Sequence, residues 1–451
     1  MRERQTGLIF LIEEEHYSLN HLQSMGLGEK DLNRLNISNV CSRLRDGEHI
    51  SFGFVGVVTI KEFVLVILPK FCTDIKVDME KYRMIRLVLK VLERYSLSLD
   101  RRYEGDAFFL TRDIDDSEIS EISLADYLLR DYVFHGIYRR ENRDSLLNGT
   151  DHIDWLRTIT DVIPIITEYG PVYHEHYSDL YEYEDLNLIS SLHRSCLRRC
   201  SIKFGPLLEY DDISDYIPSN PLEPIEKTTE DHMLSVLQRE LNQTYIIRNI
   251  RLLKALYTMI SREFSPNTDN FSLYGTRNFN LVWEKVCSDT LGNFYHTLKN
   301  EIPKPQWIDL SGLIIEKSTL KPDILMEISS SEKKIFLIMD AKYYNLKFSA
   351  EGGLLKVENN PGIADVIKQF AYERVFQEKE NKLNLFLFPE NDSEKLLDMV
   401  GMVSMPFMSP NPIGVVYVDA KKVFDMYIKG EIIMRERLEN FIVEIFPKLK
   451  R

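Results

Sequence analysis

Asp323, Asp340 and Lys342 are the residues whose types and spacing could do chemistry together. Asp323 opens a short apolar run, Ile324 to Ile328, and Asp340 closes a second, Ile335 to Met339, with the polar segment SSSEKK between them. Two such runs around a turn-forming stretch predict a two-stranded hairpin. Antiparallel pairing would set the carboxylates side by side at one strand end, as a hard divalent cation such as Mg2+ requires. Lys342 stands two residues beyond Asp340, so strand alternation points both side chains to one face, with Ala341 turned to the core. A cation held by two carboxylates can polarise a phosphodiester, while an adjacent ammonium orients or helps deprotonate water and offsets phosphate charge. The plainer alternative is a surface hairpin with charged ends. Glu327 alternates onto the Asp323 face, but its distance along the strand, roughly 13 Å at the usual rise, sets it apart.

The segments on either side supply further polar groups. GTRNFNLVWEKVCSDTLGN predicts an amphipathic helix, about 278 to 299, carrying Glu284, and PGIADVIKQFAYERVF predicts another, about 362 to 379, with Gln369 and Tyr372 on one face. Strands are expected near Trp307 to Ile315, Leu383 to Phe388 and Ile413 to Asp419, which gives a mixed sheet with helices on its faces. The glycine-bearing stretch LKFSAEGGLLKVENNPG reads as a loop over the site.

The order Pro322-Asp323 … Asp340-Ala341-Lys342 resembles the PD-(D/E)xK nuclease superfamily. With the Gly-Thr … Trp-Glu-x-x-Cys helix, Pro-Asp-Ile-Leu, Asp-Ala-Lys-Tyr-Tyr and Asp-x-x-Lys-Gln, the last 185 residues or so resemble the LlaJI group of restriction endonuclease subunits, akin to McrC of McrBC systems. The resemblance implies a Mg2+-dependent DNA endonuclease subunit of a restriction system, with Mn2+ as a substitute. Asp323, Asp340 and Glu284 would ligate the metal, Glu284 directly or through water. Lys342 would serve the attacking water, and Gln369 would steady the site. It further implies double-stranded DNA as substrate, a separate McrB-like AAA+ NTPase as partner, and homodimers for cutting both strands. In McrC relatives the amino-terminal part docks at the motor ring. Two other functions stay open: a non-cutting adaptor with a nuclease fold that stimulates its AAA+ partner, and a repair or RNA nuclease, since metal chemistry alone does not read the sugar.

The rest of the chain bounds these readings. Its 451 residues are 44% hydrophobic and 28% charged, which suits two or three globular domains. A net charge of −14 argues against a nucleic-acid partner. However, residues 266–451 carry about 24 basic and about 26 acidic side chains, so roughly −12 of that excess precedes them. Five scattered cysteines, an opening too short for a signal peptide and no membrane-length apolar run point to the cytoplasm and away from membranes. No Walker loop is present. HRSCLRRC has zinc-like spacing at His193, Cys196 and Cys200 but no evident fourth ligand.

LIFLIEEE, FVGVVTI and FVLVILPK make the first 78 residues a small β domain, and the last two runs resemble the amino-terminal segment of McrC relatives. From residue 79 the period becomes helical, with Met84, Leu87, Val88, Val91 and Leu92 on one face. The basic residues opposite, Arg83, Arg86, Lys90 and Arg94 and then Arg101 and Arg102, form either a solvated face or a phosphate track. Residues 106–121 read as a loop before a helix capped by Ser123, and helices recur to about 264. Breaks fall at Pro164, Gly170-Pro171 and Gly205-Pro206, and the tract at 210–231 reads as a linker. The expected class is a multidomain α+β protein: a β domain (1–78), a mostly helical region (79–265) that docks the motor or contacts DNA, and an α/β PD-(D/E)xK nuclease (266–451).

Overall fold

Three strand-forming stretches near the start of the chain and one from beyond its middle pair into a single sheet. The computed structural model describes residues 7–61, 63–98, 119–150, 152–184, 188–210, 213–217, 228–264, 271–317, 319–330, 333–351 and 354–449. In it β1 (Gly7–Ile12), β2 (Val55–Ile60) and β3 (Phe63–Leu68) are followed by helix α1 (Asp78–Ser98), and β4 (Phe271–Thr276) returns to the same sheet in the order β1-β3-β2-β4. β1 runs parallel to β3, and the other pairs are antiparallel. The expected β2–β3 hairpin is present, with Lys61 at φ 53° in its turn.

β4 crosses β2 at a pair of glycines. Gly275 lies opposite Gly56, and a Cβ on Gly275 would sit 2.2 Å from the Val55 carbonyl oxygen. Gly56, at φ +143°, has equally little room, 2.2 Å from the Tyr274 oxygen. The Gly-Thr pair that opens the Glu284 segment is thus a close strand crossing.

α2 (Phe279–Leu291) follows, then β5 (Ile324–Ser330), β6 (Lys333–Ala341), α3 (Ile363–Val375), β7 (Lys382–Glu390), β8 (Leu397–Val403), β9 (Ile413–Asp419), α4 (Ala420–Lys429) and α5 (Arg435–Leu449). The five strands make a mixed sheet ordered β5-β6-β7-β9-β8, with β6, β7 and β9 parallel and both edges antiparallel. β6 is buried from Ile335 to Ala341, as a strand covered on both faces must be. Phe370 and Tyr372 of α3, with Phe376 just after it, pack on the face bearing Phe336, Ile338, Phe386 and Phe388.

Where the sequence suggests three successive domains at 1–78, 79–265 and 266–451, the contacts group the chain into two units: residues 1–111 with 271–451, and residues 112–270. The first unit is held by the β4–β2 pairing and by α1 against α4. Lys421 lies 3.2 Å from Glu80, and Arg94 donates to the Ile428 carbonyl at 3.0 Å while capping the Tyr427 ring. One member of the basic face of α1 is therefore a packing residue; Arg101 and Arg102 lie outside the described residues. The apolar stripe of α1 is wider than expected, since Ile85 and Leu89 are buried and Leu87 only half so.

The second unit packs Glu121–His135, Leu188–Leu208, Glu230–Gln243 and Ile247–Phe264 as helices, with Arg248 bridging both oxygens of buried Asp131 at 3.0 and 2.8 Å. It is less helical than expected. Arg140–Leu147 pairs with Tyr177–Glu184, and Ile165–Thr167 pairs with Gly170–Val172, so Pro164 precedes one hairpin strand and Gly170-Pro171 opens the other. The cap of its first helix is Ser120, whose Oγ accepts from the Ser123 amide at 3.1 Å, and not Ser123 itself. Most of the loop at 106–121, most of the linker at 210–231, the boundary near 266 and Gly352-Gly353 lie outside the described residues.

Two further expectations are corrected. The stretch after Leu346 is a hairpin, Lys347–Glu351 with Leu354–Glu358. Trp307–Ile315 is likewise two short strands, Gln306–Ile308 and Ile314–Glu316, because the Asp309 carboxylate accepts from the Ser311 and Leu313 amides at 3.0 and 2.8 Å and turns the chain.

Candidate active site

The register of the β5–β6 hairpin builds the site. Ile324 pairs with Met339, so Asp323 and Asp340 lie opposite each other at one strand end. Asp323 Oδ2 accepts from the Ala341 amide at 2.9 Å. Its own carbonyl accepts from Asn293 Nδ2 at 2.6 Å, while Asn293 Oδ1 accepts from the Leu325 amide at 3.1 Å. Asp340 is buried, with Oδ2 2.7 Å from Lys342 Nζ and Oδ1 lacking any hydrogen-bond partner. Lys342 Nζ is equally close to Asp365 Oδ1, at 2.7 Å, and the Tyr344 hydroxyl donates to Asp365 Oδ2 at 3.5 Å.

Burial, then the repulsion of Asp340 and of Glu284, pushes the Asp323 carboxyl well above the usual carboxylate range. Glu284, on α2, is raised by burial and then by Asp340. Burial works against the Lys342 ammonium, yet Asp340 and Asp365 outweigh it and hold the group above the ordinary lysine range. The lysine is therefore a fixed cation between two carboxylates.

Among the described residues no group of three or more His, Cys, Asp or Glu side chains stands placed to hold a metal ion. Glu284 feels the aspartate pair through space without forming such a set with it. The pair itself fits a divalent cation. A buried carboxylate oxygen has no donor, and positive charge would cancel the repulsion that raises Asp323. Two carboxylates completed by water and phosphate oxygens suit Mg2+, which sheds its water reluctantly.

Gln369 is buried in α3, and its Nε2 donates to Asn384 Oδ1 at 2.6 Å and to the Ile338 and Leu385 carbonyls at 3.3 and 3.4 Å. It ties α3 to β6 and β7 behind the aspartates. Tyr372, on the same helix, donates to the Lys321 carbonyl at 2.8 Å and so fixes the approach to Asp323. Glu327 is exposed and lies 3.3 Å from Lys334, away from the aspartates. His193 is buried with its Nδ1 accepting from the Tyr138 amide at 3.0 Å, and burial holds it down to about 3. Cys200 faces Met259, and neither residue is part of a metal group.

Sequence reasoning quoted Asp365 only as the first residue of the Asp-x-x-Lys-Gln motif, without its role beside Lys342, and missed Asn293. Asp365 stands four residues before Gln369, so helical spacing could have placed the two on one side of α3. Asn293 follows α2 and carries no pattern; only the folded chain brings it to Asp323.

A cleft of about 710 Å³ opens beside Lys342, lined among others by Lys70, Arg277, Asn280, Glu284 and Tyr344. At its margin Glu13 is buried just beyond β1, where it accepts from the Tyr343 hydroxyl and, at 3.3 Å, from the Lys70 amide. Burial pushes the Glu13 carboxyl up from 4.5 to about 7. The fold thus favours the protonated acid. Its contribution is fully present below about pH 4.5 and is lost as pH rises through about 7. Melting midpoints across pH 5 to 8 should fall by the equivalent of about 3 kcal/mol from this group, and Glu13→Gln should flatten that slope. An unchanged slope in Glu13→Gln would assign the dependence elsewhere.

A model of the LlaJI restriction endonuclease family matches residues 54–421. The chain belongs to that family. Over 408 residues this LlaJI-family chain is 31% identical to the Type II restriction enzyme BsuMI component YdjA of Bacillus subtilis (strain 168), spanning 89% of this chain and 85% of the relative. Among solved structures it is similar to a chain of the half-complex refined from a tetradecameric assembly of Thermococcus gammatolerans McrB AAA+ hexamers with bound McrC. That match has 14% identity and a TM-score of 0.37, over 96% of this chain and 100% of that one. A Thermococcus gammatolerans McrBC complex matches at 14% identity and a TM-score of 0.26, over 66% of this chain and 89% of that one. Superpositions this loose carry no argument about partners. No helix among the described residues is long and apolar enough to cross a membrane.

Proposed function

We propose that this LlaJI-family chain is the cutting subunit of a restriction system, hydrolysing phosphodiesters of double-stranded DNA with Mg2+, or with Mn2+ in its place. The observation that carries this reading is the meeting of Asp323, Asp340 and Lys342 at one strand end, with Lys342 Nζ 2.7 Å from Asp340. The mixed sheet, with α2 before its aspartate hairpin and α3 after it, supports assignment of this region to the PD-(D/E)xK fold.

Asp323 and Asp340 would hold the cation, with Glu284 acting through water. Bound there, Mg2+ would supply Lewis acidity and lower the pKa of a bound water. Lys342, kept cationic by Asp340 and Asp365, offsets charge on the phosphate and orients the water, a role that suits a charged lysine better than that of general base. Gln369 steadies the sheet behind them.

An AAA+ NTPase partner belongs to the proposal; the description of the Bacillus subtilis relative as a component of its enzyme supports a multi-part enzyme and is silent on the kind of partner. Paired copies, one per strand, would complete a double-strand cut. The test incubates plasmid with the full chain, with and without such a partner, in Mg2+ or EDTA. Nicking or linearisation confined to Mg2+ is expected; cutting that survives EDTA, or none in any combination, rejects the reading. Independently of cutting, Mg2+ at saturating concentration should raise the melting midpoint by about 2–4 °C, and Asp323→Asn should abolish that rise.

A further inference from the structure

The segment that carries Lys342 out of the sheet is anchored on the turns that follow the amino-terminal strands β1 and β3. The Lys342 amide still bonds the Leu387 carbonyl, at 2.8 Å, but residues 342–346 belong to no strand or helix. Their side chains nonetheless alternate. Lys342 and Tyr344 reach Asp365. Tyr343, Asn345 and Lys347 turn the other way, to residues 13 and 70–74. The Tyr343 hydroxyl donates to Glu13 and accepts from the Lys70 amide at 3.3 Å. Asn345 Nδ2 donates to Thr73 Oγ1 at 3.1 Å, and Lys347 Nζ lies 2.8 Å from Asp74.

The Tyr343 contact is the buried one of the three. Its ring meets Phe71 edge-on at 6.2 Å and Phe279 at 5.3 Å, and Lys70 Nζ lies 4.7 Å above it. Glu13 is 6% exposed and Tyr343 equally so. A buried carboxyl group and phenol that satisfy each other hold a fixed geometry, because either one alone would be an unpaired polar group. In extended chain, rotation about the backbone at Tyr343 would swing Lys342 away from Asp340 and Asp365.

We propose that Glu13 and Tyr343 form a positioning clasp through which the amino-terminal sheet sets Lys342, making that sheet part of the cutting apparatus. This inference rests on the function proposed above. It gives the amino-terminal sheet a task in the chemical step itself, exerted through the placement of Lys342.

The test uses the full chain with three substitutions. Glu13→Gln keeps an acceptor for the phenol, Glu13→Ala removes it, and Tyr343→Phe removes the hydroxyl while keeping the ring. Glu13→Ala and Tyr343→Phe should each lower kcat for DNA cleavage by roughly 10- to 100-fold, with KM changed by less than about 2-fold, since a small displacement of a reacting group costs rate more than binding. Glu13→Gln should recover most of the rate. In parallel, amide hydrogen exchange of residues 342–346 should quicken by about 10-fold or more in Glu13→Ala, while Ile335–Asp340 stay protected. If Glu13→Ala does not fold, Tyr343→Phe is read alone. Unchanged kcat in a variant that folds, a KM effect without a kcat effect, or exchange that quickens equally across the sheet overturns the clasp. If the wild-type chain cuts no DNA, the proposed function fails on its own, and the exchange comparison still decides whether the clasp holds Lys342.

Discussion

Asp340→Asn should leave the protein folded and slow DNA cleavage on the order of 10³-fold or more. The substitution keeps the shape of the side chain and one acceptor for Lys342, 2.7 Å away, but removes the charge a cation needs from that strand end. Asp323 is held well above the usual carboxylate range by burial first and then by repulsion from Asp340 and Glu284, so relieving Asp340 should bring it down. The melting midpoint in EDTA should therefore hold or rise, while the Mg2+-dependent rise disappears. Lys342→Ala should lose rate to a similar extent but keep the Mg2+ response, since both aspartates remain. Plasmid cleavage and melting curves of the two variants, with and without Mg2+, separate loss of the ion from loss of the cation beside it. Undiminished cutting by both would remove these residues from the mechanism.

Gly275→Ala should have the largest effect on stability. The new Cβ would lie 2.2 Å from the Val55 carbonyl oxygen and 2.5 Å from the Phe54 ring, both inside contact distance. Neither group can step aside easily, since Val55 is backbone paired within the sheet and Phe54 is fully buried. The strands must part, at a cost of more than about 3 kcal/mol. The damage also travels. α2 begins three residues after β4 and carries Trp283, fully buried with its Nε1 3.5 Å from the Leu387 carbonyl, and Glu284 beside it. Gly53→Ala, where nothing lies within 4 Å, is the control and should change stability by less than about 0.5 kcal/mol. Urea unfolding of the two variants tests this; a Gly275→Ala protein as stable as the control would show that the crossing tolerates a side chain.

The geometry of the candidate site was legible because it is local. Residues 323 and 340 bracket one hairpin, and a register of two short apolar runs is enough to set them opposite each other. Period-two alternation then puts Lys342 on the Asp340 side, where it lies. Hydrophobic period likewise marked β1, β2, β3, α1, α3 and the parallel strands β7 and β9. Patterns of weak hydropathy were read less well. The strands at 140–147 and 177–184 are rich in charges, with tyrosines among them in the second, and the breaks between them at proline and glycine look alike in a helix and in a hairpin.

The sequence by itself determined which residues can do the chemistry and their order along the chain, because strand pairing and alternation act over a few residues. Only the tertiary structure decided what surrounds them. Asp365 as the second partner of Lys342, Asn293 behind Asp323, the Gly56–Gly275 crossing and the Glu13–Tyr343 contact join residues up to 330 positions apart. Such contacts leave no periodic trace, since each depends on how two elements pack and not on the spacing within either.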